Sequence, residues 1–300
     1  MIKIEKAEKR FGNVKALDKI DMEIKKGSIY GLIGSNGAGK STLFRLISGI
    51  YSPDGGNVFI EDKKVFENPD MKQRVFLVAD EPYFIGQYTL DNMADFYKRF
   101  YPNFDNKLYK ELTELFTLPA NKKISTYSKG MKRQGAFLLG MACNPDYLLL
   151  DECFDGLDPV KRQVVRKVLS DAMCDREMTA IISSHNLREL DEICDTAGIL
   201  HKGKLLYSKD LDDIKGEVHK IQAVFEGDVT KEDIESRVSL LAIQSTGKFF
   251  TLIIKGSLND ITENLKPLNP LAMESIPLTL EEVFLYEMEA KGYDANVIFR

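Results

Sequence analysis

A short apolar run at residues 29–34 breaks into Gly34-Ser35-Asn36-Gly37-Ala38-Gly39-Lys40-Ser41-Thr42, and apolar residues then recur at helical spacing over 43–50. No other stretch restricts the fold so much. A strand without polar alternation needs cover on both faces, which implies a parallel sheet flanked by helices. The turn that follows fits G-x-x-x-x-G-K-[ST] without exception. Its glycines let backbone N–H groups turn inward around a polyphosphate, and the helix behind them aims its positive end at the same point. In that arrangement Lys40 reaches the β- and γ-phosphates and the Ser41 hydroxyl is placed to bind Mg2+. A bare glycine-rich turn beside a lysine would not need a strand before it and a helix after it.

About 110 residues further on, Tyr147-Leu148-Leu149-Leu150-Asp151-Glu152 supplies a buried strand that ends in two acids. Such a strand end can hold Mg2+ through Asp151, while Glu152, emerging at the edge, can polarise an attacking water. Residues 179–184 form a second continuous apolar run of the same length class, as expected for another central strand. The alternating segments 2–8 and 17–25 read as half-buried antiparallel strands, and 58–60 and 74–79 as further short strands. Helical spacing runs over 89–100, 106–118 and 134–143, the last stopped by Asn144-Pro145. Residues 200–207, with Lys202-Gly203 at the turn, read as a closing hairpin.

With 300 residues, 44% hydrophobic and 29% charged, the chain is long enough for two domains and is neither disordered nor a disulfide scaffold. Its 41 basic and 46 acidic residues leave a net charge of −5, which argues against nucleic-acid binding driven by bulk charge. The start of the chain is a charged alternation unlike a signal peptide, and no apolar run approaches the roughly 18–20 residues that span a bilayer. A role at a membrane would therefore come through a partner. Cys143, Cys153, Cys174 and Cys194 form no CxxC pair and read as buried thiols rather than zinc ligands or disulfides.

The segment Tyr127-Ser128-Lys129-Gly130-Met131-Lys132-Arg133-Gln134 resembles the signature of ATP-binding-cassette (ABC) ATPases. Gly156-Leu157-Asp158-Pro159 looks like the D-loop of that family, His185 like its switch histidine, and Phe11 stands where the family stacks an aromatic ring on adenine. The resemblance covers residues 1–215. It implies an α/β P-loop NTPase cassette with a parallel sheet core, an antiparallel β subdomain and a helical subdomain, followed by a small α+β accessory domain over 216–300. It further implies ATP and Mg2+ as ligands. Phe11, the loop from Gly34 to Thr42, Ser128, Gly130 and Asp158 would bind nucleotide. Ser41, Asp80 and Asp151 would meet the metal, and Glu152, His185 and Lys40 would be catalytic.

By the same resemblance, the site forms between two copies of the chain, or between this chain and a second ATPase subunit. The pair would drive a transmembrane permease subunit from the cytoplasmic face of the cell membrane. The ending Leu278-Thr279-Leu280-Glu281-Glu282-Val283-Phe284 is similar to ATPase subunits of multidrug and antibiotic exporters. Tyr83, Phe84 and Tyr88 are either core or the place where the permease docks. The alternative is a soluble ABC ATPase acting on nucleic acid or the ribosome; a single P-loop and the lack of a sustained heptad run disfavour it, so no nucleic-acid partner is expected.

Three residues depart from the family pattern. Lys129 replaces a glycine and either adds charge near the opposite nucleotide or points into solvent. Met131 replaces a glutamine. Asp80, in Val78-Ala79-Asp80-Glu81-Pro82, also replaces a glutamine, and either meets Mg2+ or caps a turn before Pro82.

Overall fold

The computed structural model describes residues 1–211, 213, 218–227 and 229–290, which divide into two compact units, 1–208 and 209–300. The domain boundary expected at 215/216 lies outside the described residues.

In the first unit, β1 (Ile2–Phe11) pairs antiparallel with β2 (Val14–Ile24), starting at Ile2↔Ile24. β3 (Ile29–Ile33) leads through the P-loop into α1 (Lys40–Ile47). β4 (Gly55–Ile60) lies antiparallel on the other side of β1, with the two-residue β5 (Lys63–Lys64) at its edge. The short α2 (Pro69–Lys72) precedes β6 (Val75–Val78). Three helices follow: α3 (Leu90–Tyr97), α4 (Asn106–Phe116) and α5 (Lys129–Ala142). They are held partly by an edge-on contact of Phe116 with Phe137, ring centroids 6.0 Å apart. Asn144 takes a left-handed backbone just beyond α5, and Pro145 prevents its continuation.

β7 (Tyr147–Asp151) then enters the core, followed by α6 (Pro159–Arg176), β8 (Thr179–Ser184), α7 (Leu187–Asp191), β9 (Thr196–His201) and β10 (Lys204–Asp210). The second sheet has the order β10-β9-β3-β8-β7-β6, and its strands from β9 to β6 pair parallel. All residues of β3, β7 and β8 are buried, the apolar runs covered on both faces and the polar Asp151, Ser183 and Ser184 at the strand ends held by hydrogen bonds.

α6 lacks an apolar face in the sequence, and only Val165 and Leu169 are buried along its 18 residues. What starts it is its cap. The Asp158 carboxylate accepts from the Lys161 N–H at 2.9 Å and Pro159 supplies the first helical position. Cys174 is exposed on α6, unlike the buried Cys143 and Cys153, and Cys194 is half-buried, so the expectation of buried thiols holds for two of the four.

The second unit runs β11 (Val218–Phe225), α8 (Lys231–Glu235), β12 (Ser239–Thr246), β13 (Phe249–Lys255), α9 (Leu258–Leu265), β14 (Pro270–Ile276) and α10 (Leu280–Ala290). The sheet order is β12-β13-β11-β14, antiparallel throughout, so the first six elements make the βαββαβ pattern of ferredoxin-like domains. Ile221, Ala223 and Phe225 of β11 pack with Ile234 of α8 and with Ile261 and Leu265 of α9. β12 and β14 escape a pattern reading because they are edge strands whose residues stay largely exposed.

Candidate functional site

Because β3, β8 and β7 are neighbours and parallel, with Ile33 opposite Ser184 and Asp151 opposite Ser183, the chain leaves all three strands at one edge. The P-loop, Glu152 and His185 therefore converge although they are far apart in sequence. A cavity of about 330 Å³ is lined by residues 35–42 of the P-loop, by Asp80 and Glu152, and by Val14, Lys15, Ala16, Lys202 and Gly203. A larger hollow of about 530 Å³ lies between α4 and α6, lined by residues such as Leu108, Leu115, Val164 and Val168, and has none of these groups.

The P-loop cradle is built of backbone. Gly39 sits at φ +113, and a Cβ there would lie 2.7 Å from the Ala16 carbonyl oxygen, so only glycine fits where α1 begins. Lys40 is 5% exposed; its ammonium donates to the Gly34 carbonyl at 2.5 Å and lies 3.0 Å from Glu152 Oε1. Glu152 Oε1 has no aligned hydrogen bond, so this contact is electrostatic alone. A cradle of inward N–H groups with one buried ammonium suits a polyphosphate.

Asp151, 4% exposed, accepts from the Ser183 hydroxyl at 2.6 Å, and the same hydroxyl accepts from the Glu152 N–H at 3.0 Å. One serine thus orients both acids. Glu152 itself stands in the left-handed region (φ +49), turning its side chain off the strand line toward Lys40 and toward His185, whose Nδ1 lies 3.1 Å from Glu152 Oε2. The His185 imidazole is half exposed, at 52%.

The model of the family described as ABC transporter matches residues 17–155. The ABC transporter ATP-binding protein YtrB of Bacillus subtilis (strain 168) is 32% identical over 291 residues, covering 97% of this chain and 99% of that one. The chain belongs to the ATP-binding proteins of ABC transporters. Among other relatives is the bacitracin transport ATP-binding protein BcrA of Bacillus licheniformis, 30% identical over 218 residues and covering 72% of this chain and 71% of that one. A dimeric, post-hydrolysis ATP-binding cassette bound to ADP and Pi shares the fold, with TM-score 0.64 at 21% identity over 70% of this chain and 99% of that chain. The protein is an ATP-binding subunit of an ABC transporter and an ABC ATPase.

Within this ABC subunit, not every expected residue reaches the P-loop cavity. Ser128 and Gly130 do not line it; Ser128 is exposed and its hydroxyl accepts from the Met131 N–H at 3.2 Å, capping α5. Lys129 is exposed beside it. Asp158 is likewise exposed as the cap of α6. Phe11, 45% exposed, meets Tyr51 edge-on at 5.5 Å and is not among the lining residues. Tyr83 is 84% exposed, while Phe84 and Tyr88 are half-buried.

Asp80 does line the cavity, and its partner was not foreseen. The buried Arg133 of α5 pairs with Asp80 Oδ1 and donates to the Asp155 carbonyl, with a longer bond of 3.4 Å to the Asp80 carbonyl. One guanidinium thereby ties α5 to the segments following β6 and β7. Arg133, Ser183 and Lys202 are the site residues that sequence reasoning passed over. Arg133 lay inside the signature string; Ser183 looked like one more strand residue; Lys202 was read only as a turn.

Proposed function

We propose that this subunit hydrolyses ATP to power export by a separate transmembrane permease, with ATP held between the P-loop of one ATPase and Ser128 and Gly130 of a second. The grouping of Lys40 and His185 about the Glu152 carboxylate, with Ser183 holding Asp151 and the Glu152 N–H, carries the proposal. Export follows the relatives named for bacitracin and lantibiotic transport. The work takes place at the cytoplasmic face of the membrane, with the exposed Tyr83 and its neighbours Phe84 and Tyr88 as the permease contact. No described helix is long and apolar enough to cross a membrane, in keeping with a separate permease.

In this reading Lys40 and the P-loop N–H groups bind the β- and γ-phosphates, and Phe11 packs on adenine. Ser41, Asp151 and Asp80 offer oxygen ligands, the donor type a hard cation such as Mg2+ takes. Asp80 would offer Oδ2, since Oδ1 is engaged by Arg133. Mg2+, when bound, neutralises charge on the phosphates. Glu152 orients and deprotonates water, His185 holds the Glu152 carboxylate in place, and Lys40 stabilises the charge that develops on the γ-phosphate. Asp158 borders the junction between the two ATPases. The second unit serves as an accessory domain whose described residues supply none of the groups named above.

The test is size-exclusion chromatography of Glu152→Gln with ATP and Mg2+, alone and with a second ATPase subunit. Glu152→Gln should bind ATP without turnover and elute as a dimer. Elution as a monomer under both conditions at high protein concentration would refute the shared site.

A further inference from the structure

The turn between β9 and β10 is bolted to the nucleotide cavity. The Gly203 N–H donates to the Ala38 carbonyl at 2.9 Å, and the Gly203 carbonyl accepts from the Asp18 N–H at 2.8 Å. A Cβ on Gly203 would lie 2.7 Å from the Ala16 carbonyl oxygen, so the turn cannot move away from the P-loop side without breaking these contacts. Both turn residues are left-handed, Lys202 at φ +46 and Gly203 at φ +74, the backbone of a two-residue hairpin turn. Asn, Asp or Gly takes the first position of such a turn at least cost, and this chain places a lysine there.

That lysine lines the cavity, is exposed, and makes no hydrogen bond or ion pair with the described residues. Its neighbours differ. Lys15 pairs with Asp18, and Lys204 lies 3.6 Å from the other oxygen of the same carboxylate. Lys40 has Glu152 as its counter-ion. Lys202 is therefore a cavity cation with no counter-ion among the described residues, on a turn whose backbone is held at Ala38, just before α1.

We propose that Lys202 is a nucleotide-binding residue, contacting the α- and β-phosphates shared by ATP and ADP. The position decides which phosphates. Glu152 and Lys40 mark the end of the cavity where the γ-phosphate is cleaved, whereas the Lys202 turn is anchored to Ala38 and Ala16. A contact there does not distinguish ATP from ADP. This assignment rests on reading the cavity as the ATP site, and the test separates the two.

Calorimetric titration of the full chain with ADP and with a non-hydrolysable ATP analogue compares Lys202→Asn, Lys202→Arg, Lys204→Ala and Lys40→Ala. Asn keeps the left-handed turn and removes the charge. Lys202→Asn should weaken both nucleotides by about three- to tenfold and by the same factor, with the loss shrinking as salt is raised. Lys202→Arg should bind as wild type does, and so should Lys204→Ala. Wild-type affinity for Lys202→Asn overturns the assignment, as does an equal loss for Lys204→Ala, which would indicate only the general field of the surface. If Lys40→Ala also binds normally, the cavity is not the nucleotide site and both readings fall.

Discussion

Replacing Glu152 with Gln should tighten ADP binding, because the Lys40 ammonium must leave Glu152 in order to hold phosphate. The two groups lie 3.0 Å apart, with side chains only 6% and 11% exposed. At an effective dielectric of about 20, charges at that separation attract by about 5 kcal/mol. Desolvation of the pair offsets most of this, leaving a net contribution of about 1–2 kcal/mol to the nucleotide-free state. Glutamine keeps the shape and loses the charge, so this stabilisation of the empty site disappears and Kd for ADP should fall about 5- to 30-fold. ADP is the right ligand because it lacks the γ-phosphate, so affinity gained by closing a dimer around ATP does not enter. His185→Ala is the control: it removes the other contact to Glu152 while leaving both charges of the Lys40 pair, and should bind ADP as wild type does. Titration calorimetry at low protein concentration reads both. An unchanged or weaker ADP affinity in Glu152→Gln would show that the ion pair does not restrain Lys40 in solution.

Arg133→Met should lower the stability of the unit formed by residues 1–208 by about 2–3 kcal/mol, since it strips the Asp155 and Asp80 carbonyls of a donor as well as breaking an ion pair. Asp80→Ala should cost only about 1 kcal/mol, because the Asp80 side chain is 47% exposed and Arg133 retains its carbonyl acceptors; scanning calorimetry ranks the two, and the reverse order would contradict the staple. The Glu61 carboxyl is held down to about 2, chiefly by hydrogen bonds from Arg74, against an ordinary 4.5. A depressed carboxyl stabilises above its unfolded pKa and loses that contribution as pH falls from about 4.5 toward 2. Glu61→Gln should thus flatten the acid limb of the stability profile, by under about 1 kcal/mol given that both partners are a third exposed, and an unchanged limb would count against it.

How far the sequence could be read depended on whether a feature was local. The P-loop, the central apolar runs of β7 and β8, and the Asn144-Pro145 stop are local, and each was legible from a few consecutive residues. The Lys202-Gly203 turn was equally plain as a turn. Its relation to the cavity was hidden because that depends on the Gly203 hydrogen bond to Ala38, more than 160 residues away. Arg133 shows the same limit: nothing beside it in sequence signals Asp80 or Asp155. α6 was missed for a different reason. It buries two residues of 18 and owes its start to a cap, so a reading by apolar periodicity finds no face. The family pattern led to Asp80 as a metal ligand but carried no information about a partner on α5, since Arg133, although inside the signature string, was given no role by it.

The charge pairing within the cavity bears on why a second ATPase would be needed. Lys40 faces Glu152 and Lys15 faces Asp18, so two of the three cations that line the cavity are already paired within the chain, and Arg133 is likewise paired with Asp80 at its border. Lys202 alone among the lining cations has no counter-ion among the described residues, and its turn is anchored to Ala38. A triphosphate brings its greatest charge density to the Glu152 end of the cavity, next to two carboxylates. The chain has a helix start that could meet this charge, α5 with exposed Ser128 and Lys129, yet it lies outside its own cavity. A helix N-terminus favours anions, and the added ammonium of Lys129 strengthens that preference. Presented by a second copy, those groups would supply the positive charge that the cavity's own pairings withhold. On this argument Lys129, where the family has glycine, would add to the positive charge that a second copy presents.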